Sequence, residues 1–501
     1  MIKGGNVAEF EKFGKLRSHI WPIYRCETKR FLPASLMMFC VLFIYTLTRD
    51  LKDTMLVNAP GAEPACISSL KIYGVLPVAF LSVALFGKIT NKFGDIKTFY
   101  ITITSFLVFY VFFGFVLYPM SDKIHLGEAW VQNMQSCSPQ VIHDIWPLLA
   151  NWSFSLFYIL TEIWSSLVLS FLFWQVANKV TKKTEAKRFY TLFACIGNLA
   201  LILSGCFAKI TIGFSDNVRV MMQMLGVLVV GLILMMLHYY IDKKVLSDSV
   251  FISKKRESKP TLNQSFKYIL KSKYLFLIAV LVISYGIAIN ISEVTWKEQG
   301  KLLHGSEDKF NSMMADLSII TGFITIFITV ICGNILRRCK WRTAALITPL
   351  SVLILGGMFF AMIFYENFVG VKARFFTFSI LEIVVWIGLV QDATAKGIKY
   401  SLFDCTKQMA YRSLDKETRT HGQAAVEVVG GRVGKSLGSI IIIIIRTVCG
   451  GKVPLYSITG WLALILVLVI AVWFWSVINL SRDYEFWDTK KFEKETQKIV
   501  A

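Results

Sequence analysis

Apolar residues along this chain gather in runs of membrane-spanning length, separated by polar or charged connectors. About 20 apolar residues in a helix cross a hydrocarbon layer of roughly 30 Å. The pattern predicts helices at 31–48, 70–88, 99–119, 146–177, 189–211, 219–241, 274–295, 316–336, 343–365, 374–392, 423–448 and 454–480. The 146–177 run exceeds one crossing and is expected to tilt or to project from the membrane. The expectation is an all-α polytopic membrane protein of about twelve transmembrane helices.

Composition supports this class. Hydrophobic residues make up 55% of the 501, charged residues 17%, and mean hydropathy is +0.57. Soluble domains carry about a quarter charged residues, so the bilayer is the expected solvent for much of this surface. The net charge of +21 would suggest nucleic acid in a soluble protein. Here the cations cluster in connectors: the N-terminal tail (Lys12, Lys15, Arg17, Arg25, Lys29, Arg30), then 88–97, 179–188, 243–273, 337–342 and 396–419. The intervening connectors 121–144 and 297–316 are neutral or acidic. All basic connectors then fall on one side, which predicts cytoplasmic termini and no nucleic-acid partner.

The longest basic connector divides the chain into two halves. The expected units are a tail at 1–30, a six-helix half at 31–241, a linker at 242–273, a second six-helix half at 274–480 and a tail at 481–501. A short internal echo agrees: Leu172-Phe173 with Glu185 recurs as Leu402-Phe403 with Asp415 at the same offset.

Ten cysteines and six histidines are dispersed, without the spacing of a metal site, a disulfide framework or a catalytic cluster. No cofactor and no enzymatic centre is expected, and the polar N-terminus has no cleavable signal pattern. The informative residues are charges inside or bordering apolar runs, which lipid tolerates only when they are paired or face a wet cavity. They are Arg49, Asp50, Lys52 and Asp53 at the end of the first helix, Glu162 within the fourth, Glu293 at the end of the seventh, and Arg432 with Lys435 in the eleventh. Those at helix ends can snorkel to the interface; Glu162 and Lys435 are expected to face a central cavity. Cations of this kind hold phosphates, and carboxylates accept from amino or hydroxyl groups or pair with the cations of an empty site. By itself this chemistry indicates a charged solute. Gly430–Ser436 nearly matches a phosphate-binding loop, but Val429 stands where its first glycine is required and an apolar helix follows. Close helix packing is the expected role of these glycines.

Several segments are similar to the nucleotide transporters (ATP/ADP translocases) of plastids and obligate intracellular bacteria. They are Arg49–Thr54, Gly61-Ala62-Glu63, Glu162-Ile163-Trp164, Phe173–Asn178, Glu185–Tyr190, Tyr285-Gly286-Ile287, Glu293–Lys297, Lys399–Asp404, Gly422–Glu427 and Gly434-Lys435-Ser436. The resemblance implies a two-halved, major-facilitator-like fold in the inner membrane of an intracellular bacterium, exchanging ATP for ADP without hydrolysis. Another nucleotide, proton coupling or another phosphorylated anion is the alternative. Phosphate is a further candidate partner beside the nucleotides and the lipid bilayer. The family's transport-critical charges fall on Lys52, Glu162, Glu293 and Lys435. Arg49, Arg432, Lys399 and Lys407 are further substrate-binding candidates, the last two expected in a cytoplasmic connector. Glu162 is expected to contact cargo and Glu293 to act as a gate. Two departures bear on cargo identity: Thr161 stands where relatives have Ala, and Ile440–Ile445 replaces more varied sequence.

Overall fold

The computed structural model describes residues 21, 23–139, 142–181, 185–245, 272–369, 374–375, 377–412, 414, 426, 430–450 and 453–500. Residues 1–20, most of the 242–273 linker, Asp415 and all but Val426 of Gly422–Glu427 lie outside them, so the expectations placed there have no structural counterpart. Twelve long helices occur among the described residues. The first is α1, Arg25–Asn58. The continuous stretch Cys66–Leu117 is divided at Gly94, whose φ of 77° and ψ of 170° break the helical path, into α2 (66–93) and α3 (95–117). Then come α4 (Trp152–Val180), α5 (Ala186–Ile210), α6 (Asp216–Val245), α7 (Lys273–His304), α8 (Glu307–Arg338) and α9 (Trp341–Val369). The last three are α10 (380–412), α11 (Gly431–Val448) and α12 (Thr459–Val500). A two-residue antiparallel pairing, Arg374–Phe375 with Phe378–Ser379, precedes α10.

Every expected helix is present, and several run past their expected ends. The first was expected to stop at 48, yet α1 carries Arg49 to Asp53 inside its helical path and buries all five. The seventh was expected to end at 295, but α7 continues to a left-handed cap at Gly305 (φ 57°). Glu293 is therefore an interior residue. The basic connector 396–412 is helical, a continuation of α10, so Lys399 and Lys407 are not in a loop. These corrections share a cause: ion pairing lets a helix carry charge where hydropathy alone would end it. In the opposite sense, the long 146–177 run is broken. Ile145–Ala150 is a separate short helix, and Asn151 (φ −100°, ψ 47°) turns the chain while its amide donates to the carbonyls of Pro60 and Pro147.

Polarity is distributed as a membrane protein requires. Leu81, Ile210, Met236, Phe327 and Phe368 are exposed on the outside of the bundle, while Asp50, Lys52, Asp53 and Lys297 are buried within it. Close packing brings α7 against α11 through glycines: a Cβ on Gly286 would lie 2.9 Å from Gly434 Cα, and one on Gly434 would lie 2.8 Å from the Ile283 carbonyl oxygen. The Gly430–Ser436 segment is thus a helix-packing surface, as expected, and Lys435 rides on it.

Among the described residues five complete π-helical turns occur, and three of them, Lys71–Val75 in α2, Ser165–Leu172 in α4 and Lys399–Phe403 in α10, lie on helices that carry the buried charges described below. Such turns shift the register of the following side chains and recur at functional positions. The Leu172-Phe173 and Leu402-Phe403 echo falls at the ends of the turns in α4 and α10.

Candidate functional site

Eight buried or half-buried charges from five helices form one unbroken, sign-alternating chain. It starts on α11, where Arg432 Nη1 lies 3.2 Å from Glu162 Oε2 of α4. Glu162 Oε1 lies 3.2 Å from Lys52 Nζ of α1. Lys52 Nζ is 3.0 Å from Asp53 Oδ1, and Asp53 Oδ2 is 2.9 Å from Lys297 Nζ of α7. Lys297 lies 3.2 Å from Glu293 Oε1, the same oxygen lies 3.7 Å from Lys396 Nζ of α10, and Lys396 lies 2.7 Å from Asp392. Four cations and four carboxylates alternate, so the chain is self-neutral.

Local structure explains each link. Glu293 and Lys297, like Asp392 and Lys396, are four residues apart and share a helix face. The side chains of Lys52, Asp53 and Lys297 are 2%, 1% and 1% exposed, so their mutual attraction and hydrogen bonds stand in for water. Lys52 also caps the ring of Tyr158, 3.6 Å from its centroid, a cation–π contact in a desolvated setting. Arg432 further donates to the Glu162 carbonyl oxygen at 2.9 Å and to Ser166.

Other cations border this chain. Arg49, expected in part to snorkel, is buried: its guanidinium lies 2.8 Å from Asp50 and 2.7 Å from Ser318 Oγ of α8, and Ser318 also donates to Asp50. Lys435 is within electrostatic reach of Glu162, Glu293, Lys399 and Arg432, yet makes no ion pair among the described residues. Lys399 lies near the rings of Tyr400 and Tyr285, at 4.9 and 5.7 Å. Lys407 pairs with Asp404 at 2.9 Å on the following turns of α10.

The bundle is tied at the end that carries the 58–66 connector. Arg446 of α11 reaches Glu63 at 2.8 Å and Asp144 at 2.9 Å, and Lys301 of α7 donates to the Ala62 carbonyl oxygen at 2.7 Å. Arg219 of α6 lies 2.6 Å from Glu307 of α8. Each contact joins one of the first six helices, or a connector between them, to one of the last six. At the other end, Arg30–Glu185, Arg188–Glu27 and Lys179–Asp95 each join parts of the first six.

Charges shared among five membrane helices mark a functional interior, and sequence comparison decides which function it serves. The description "TLC ATP/ADP transporter" fits residues 7–484. The chain belongs to the TLC ATP/ADP transporter family. It is 38% identical to ADP,ATP carrier protein 1 of Chlamydia pneumoniae over 494 residues, covering 95% of both chains. It is also 38% identical to ADP,ATP carrier protein 1 of Rickettsia bellii over 486 residues, 94% of this chain and 96% of that one. Among solved structures the fold is shared with the nucleoside transporter NupG (TM-score 0.53, 11% identity, 92% and 99% of the two chains). It is shared too with a bacterial homologue of the iron transporter ferroportin in an inward-facing state (TM-score 0.53, 13% identity, 91% and 98%). The family resemblance read from the motifs and the major-facilitator-like fold class are both borne out.

In this TLC-family chain, Lys52, Glu162, Glu293 and Arg432 meet in the charge chain, Lys435 and Lys399 lie beside it, Arg49 sits in a neighbouring pair, and Lys407 is a turn or more further along α10. Sequence reasoning missed Lys297, Lys396 and Asp392 as members of the charge chain, and it singled out Asp53 only as a charge at a helix end. For Asp53 and Lys297 the signal was available, since both stand in quoted motifs. Lys396 and Asp392 carried the i, i+4 spacing but were assigned to a helix end and a connector.

Proposed function

We propose that this protein exchanges ATP for ADP across the inner membrane of an intracellular bacterium by alternating access, without hydrolysis. The observation that carries the reading is the self-neutral charge chain linking α11, α4, α1, α7 and α10. Two six-helix halves, 31–241 and 274–480, move about it, with both termini in the cytoplasm. The Glu162–Arg432 and Asp53–Lys297 pairs then cross between halves. With the basic connectors inside, the end tied by Arg446 faces outward and the described conformation is closed to the outside.

Opening that end requires the cross-half pairs to separate, and a buried charge that loses its partner costs about 3–5 kcal/mol. A nucleotide removes the penalty, because its phosphates replace carboxylates as partners for Arg432, Lys52 and Lys297, with Lys435, which makes no ion pair among the described residues, adding further positive charge. An empty carrier has no such replacement and stays where it is, which is the physical basis of obligate exchange. The names of the relatives, ADP,ATP carrier proteins, support adenine nucleotides as the cargo; Glu293, whose pairs lie within the last six helices, can accept from the base amino group or ribose hydroxyls.

The test is efflux from proteoliposomes preloaded with labelled ATP. External ADP or ATP is expected to release the label rapidly and buffer alone to release little. Equal efflux under both conditions overturns exchange, and efflux driven equally by an unrelated phosphorylated anion overturns the nucleotide cargo.

A further inference from the structure

Lys71 stands apart from the charge chain. It lies in the π-helical turn of α2 and is 7% exposed. Buried lysines are ordinarily matched by a carboxylate. Every cation of the chain has at least one: Lys52 touches Asp53 and Glu162, Lys297 touches Asp53 and Glu293, Lys396 touches Glu293 and Asp392, and Arg432 touches Glu162. Lys71 makes no ion pair among the described residues. Its ammonium donates instead to a neutral amide, Asn290 Oδ1 of α7, at 2.6 Å.

That amide is held in place. Asn290 Nδ2 donates to Ser439 Oγ of α11 at 3.0 Å. A Cβ on the adjacent Gly438 would lie 3.1 Å from both Asn290 Cβ and Nδ2, tighter than ordinary contact, so the absence of a side chain there leaves Asn290 its room. An amide oxygen orients an ammonium without neutralising it. Among the described residues no carboxylate therefore has to leave before a phosphate pairs with Lys71, and an ammonium that spends one N–H on Asn290 has two more to offer a ligand. It is also central: Glu293, Lys297, Lys435 and Glu162 are within electrostatic reach.

We infer that Lys71 is a phosphate-holding residue of the transport site, presented from α2 by Asn290, for a nucleoside di- or triphosphate. The inference rests on the nucleotide-exchange reading above. A carboxylate at 290 would have served a structural lysine better; an asparagine serves one that must exchange its partner for a polyanion. Because each added phosphate raises the charge that Lys71 faces, its contribution grows from AMP through ADP to ATP.

The affinities of the purified full-length protein for ATP, ADP and AMP test this in wild type, Lys71→Gln and Asn290→Asp. Lys71→Gln removes the charge and keeps an amide donor toward Asn290. Asn290→Asp keeps the shape and gives Lys71 a carboxylate, so this variant folds with its buried pair satisfied and decides the matter where Lys71→Gln does not fold. Both variants are expected to weaken ATP binding by about 10- to 100-fold, ADP less and AMP least. Equal weakening of all three nucleotides, or no weakening, overturns the inference and leaves Lys71 a structural link between α2 and α7. A wild-type protein that binds none of the three would overturn the exchange reading itself, whereas intact exchange with an unchanged ATP-to-AMP preference in both variants would overturn the role of Lys71 alone.

Discussion

Lys297 of α7 places its ammonium 2.9 Å from Asp53 of α1, and both side chains are 1% exposed. Asp53 also holds Lys52 at 3.0 Å, so one carboxylate lies between two buried cations. Asp53→Asn leaves those cations facing each other across a neutral group. The expected loss is on the order of 3 kcal/mol of stability, read as a lower unfolding temperature in detergent, together with loss of exchange. The double variant Asp53→Leu with Lys297→Met is expected to regain most of the stability, because an apolar pair replaces the ionic one, but not the exchange. An unchanged unfolding temperature in Asp53→Asn would mean that the central carboxylate is energetically idle.

This relationship also marks how far the sequence could be read. Twelve apolar runs and the alternation of basic connectors were sufficient for the fold class, because lipid forces backbone polar groups into helices of a fixed minimum length. The glycines of the 430–436 segment were legible as packing positions from their spacing, whereas Gly286, which Gly434 packs against, was not. Partnership was not legible. Glu162 declared itself by interrupting an apolar run, but nothing in the spacing of Glu162 and Arg432, 270 positions apart, says that they touch. Lys396 and Lys71 were passed over because each stands near the edge of an apolar run, where hydropathy cannot separate a snorkelling lysine from one turned inward. Helix ends failed likewise at Asp50 and Glu293, whose charge was read as the end of a span when ion pairing carried it through.

A second expectation concerns the tied end. Arg446 is 4% exposed and reaches Glu63 and Asp144 across the bundle, while Cys66, three residues beyond Glu63, is 1% exposed. Glu63 is half solvated, so its pair with Arg446 is partly screened and Asp144 is the stronger tie. Arg446→Ala should let the end open more often and expose Cys66. With the exposed Cys137 and Cys449 replaced by Ser, labelling of Cys66 by an impermeant maleimide added outside is expected to rise about 10-fold, equivalent to ~1.4 kcal/mol. An unaltered rate would show that the remaining contacts, such as Lys301 to Ala62, suffice to keep the end shut.

The last expectation reassigns the roles of the two glutamates. The sequence alone places Glu162 on the cargo and Glu293 at a gate, since Glu162 lies deep in an apolar run and Glu293 at the end of one. The geometry favours the opposite emphasis. Glu162 holds Lys52 of α1 and Arg432 of α11 at 3.2 Å each, so it joins the first six helices to the last six. Glu293 pairs with Lys297 on its own helix and Lys396 on α10, both within the last six. A carboxylate that clasps the two groups must let go during every crossing, whereas one that pairs within a group can stay and meet the cargo. Glu162→Gln keeps the shape and removes the charge, so exchange should slow by about 10-fold or more while the preference among ATP, GTP and CTP stays the same. Glu293→Gln should shift that preference by about 1–3 kcal/mol, the cost of a lost buried hydrogen-bond partner. Exchange rates of labelled ATP, with each unlabelled nucleotide as competitor, separate the two outcomes. A changed preference in Glu162→Gln with an unchanged maximal rate would return that residue to the cargo and leave Arg432 without its gating partner.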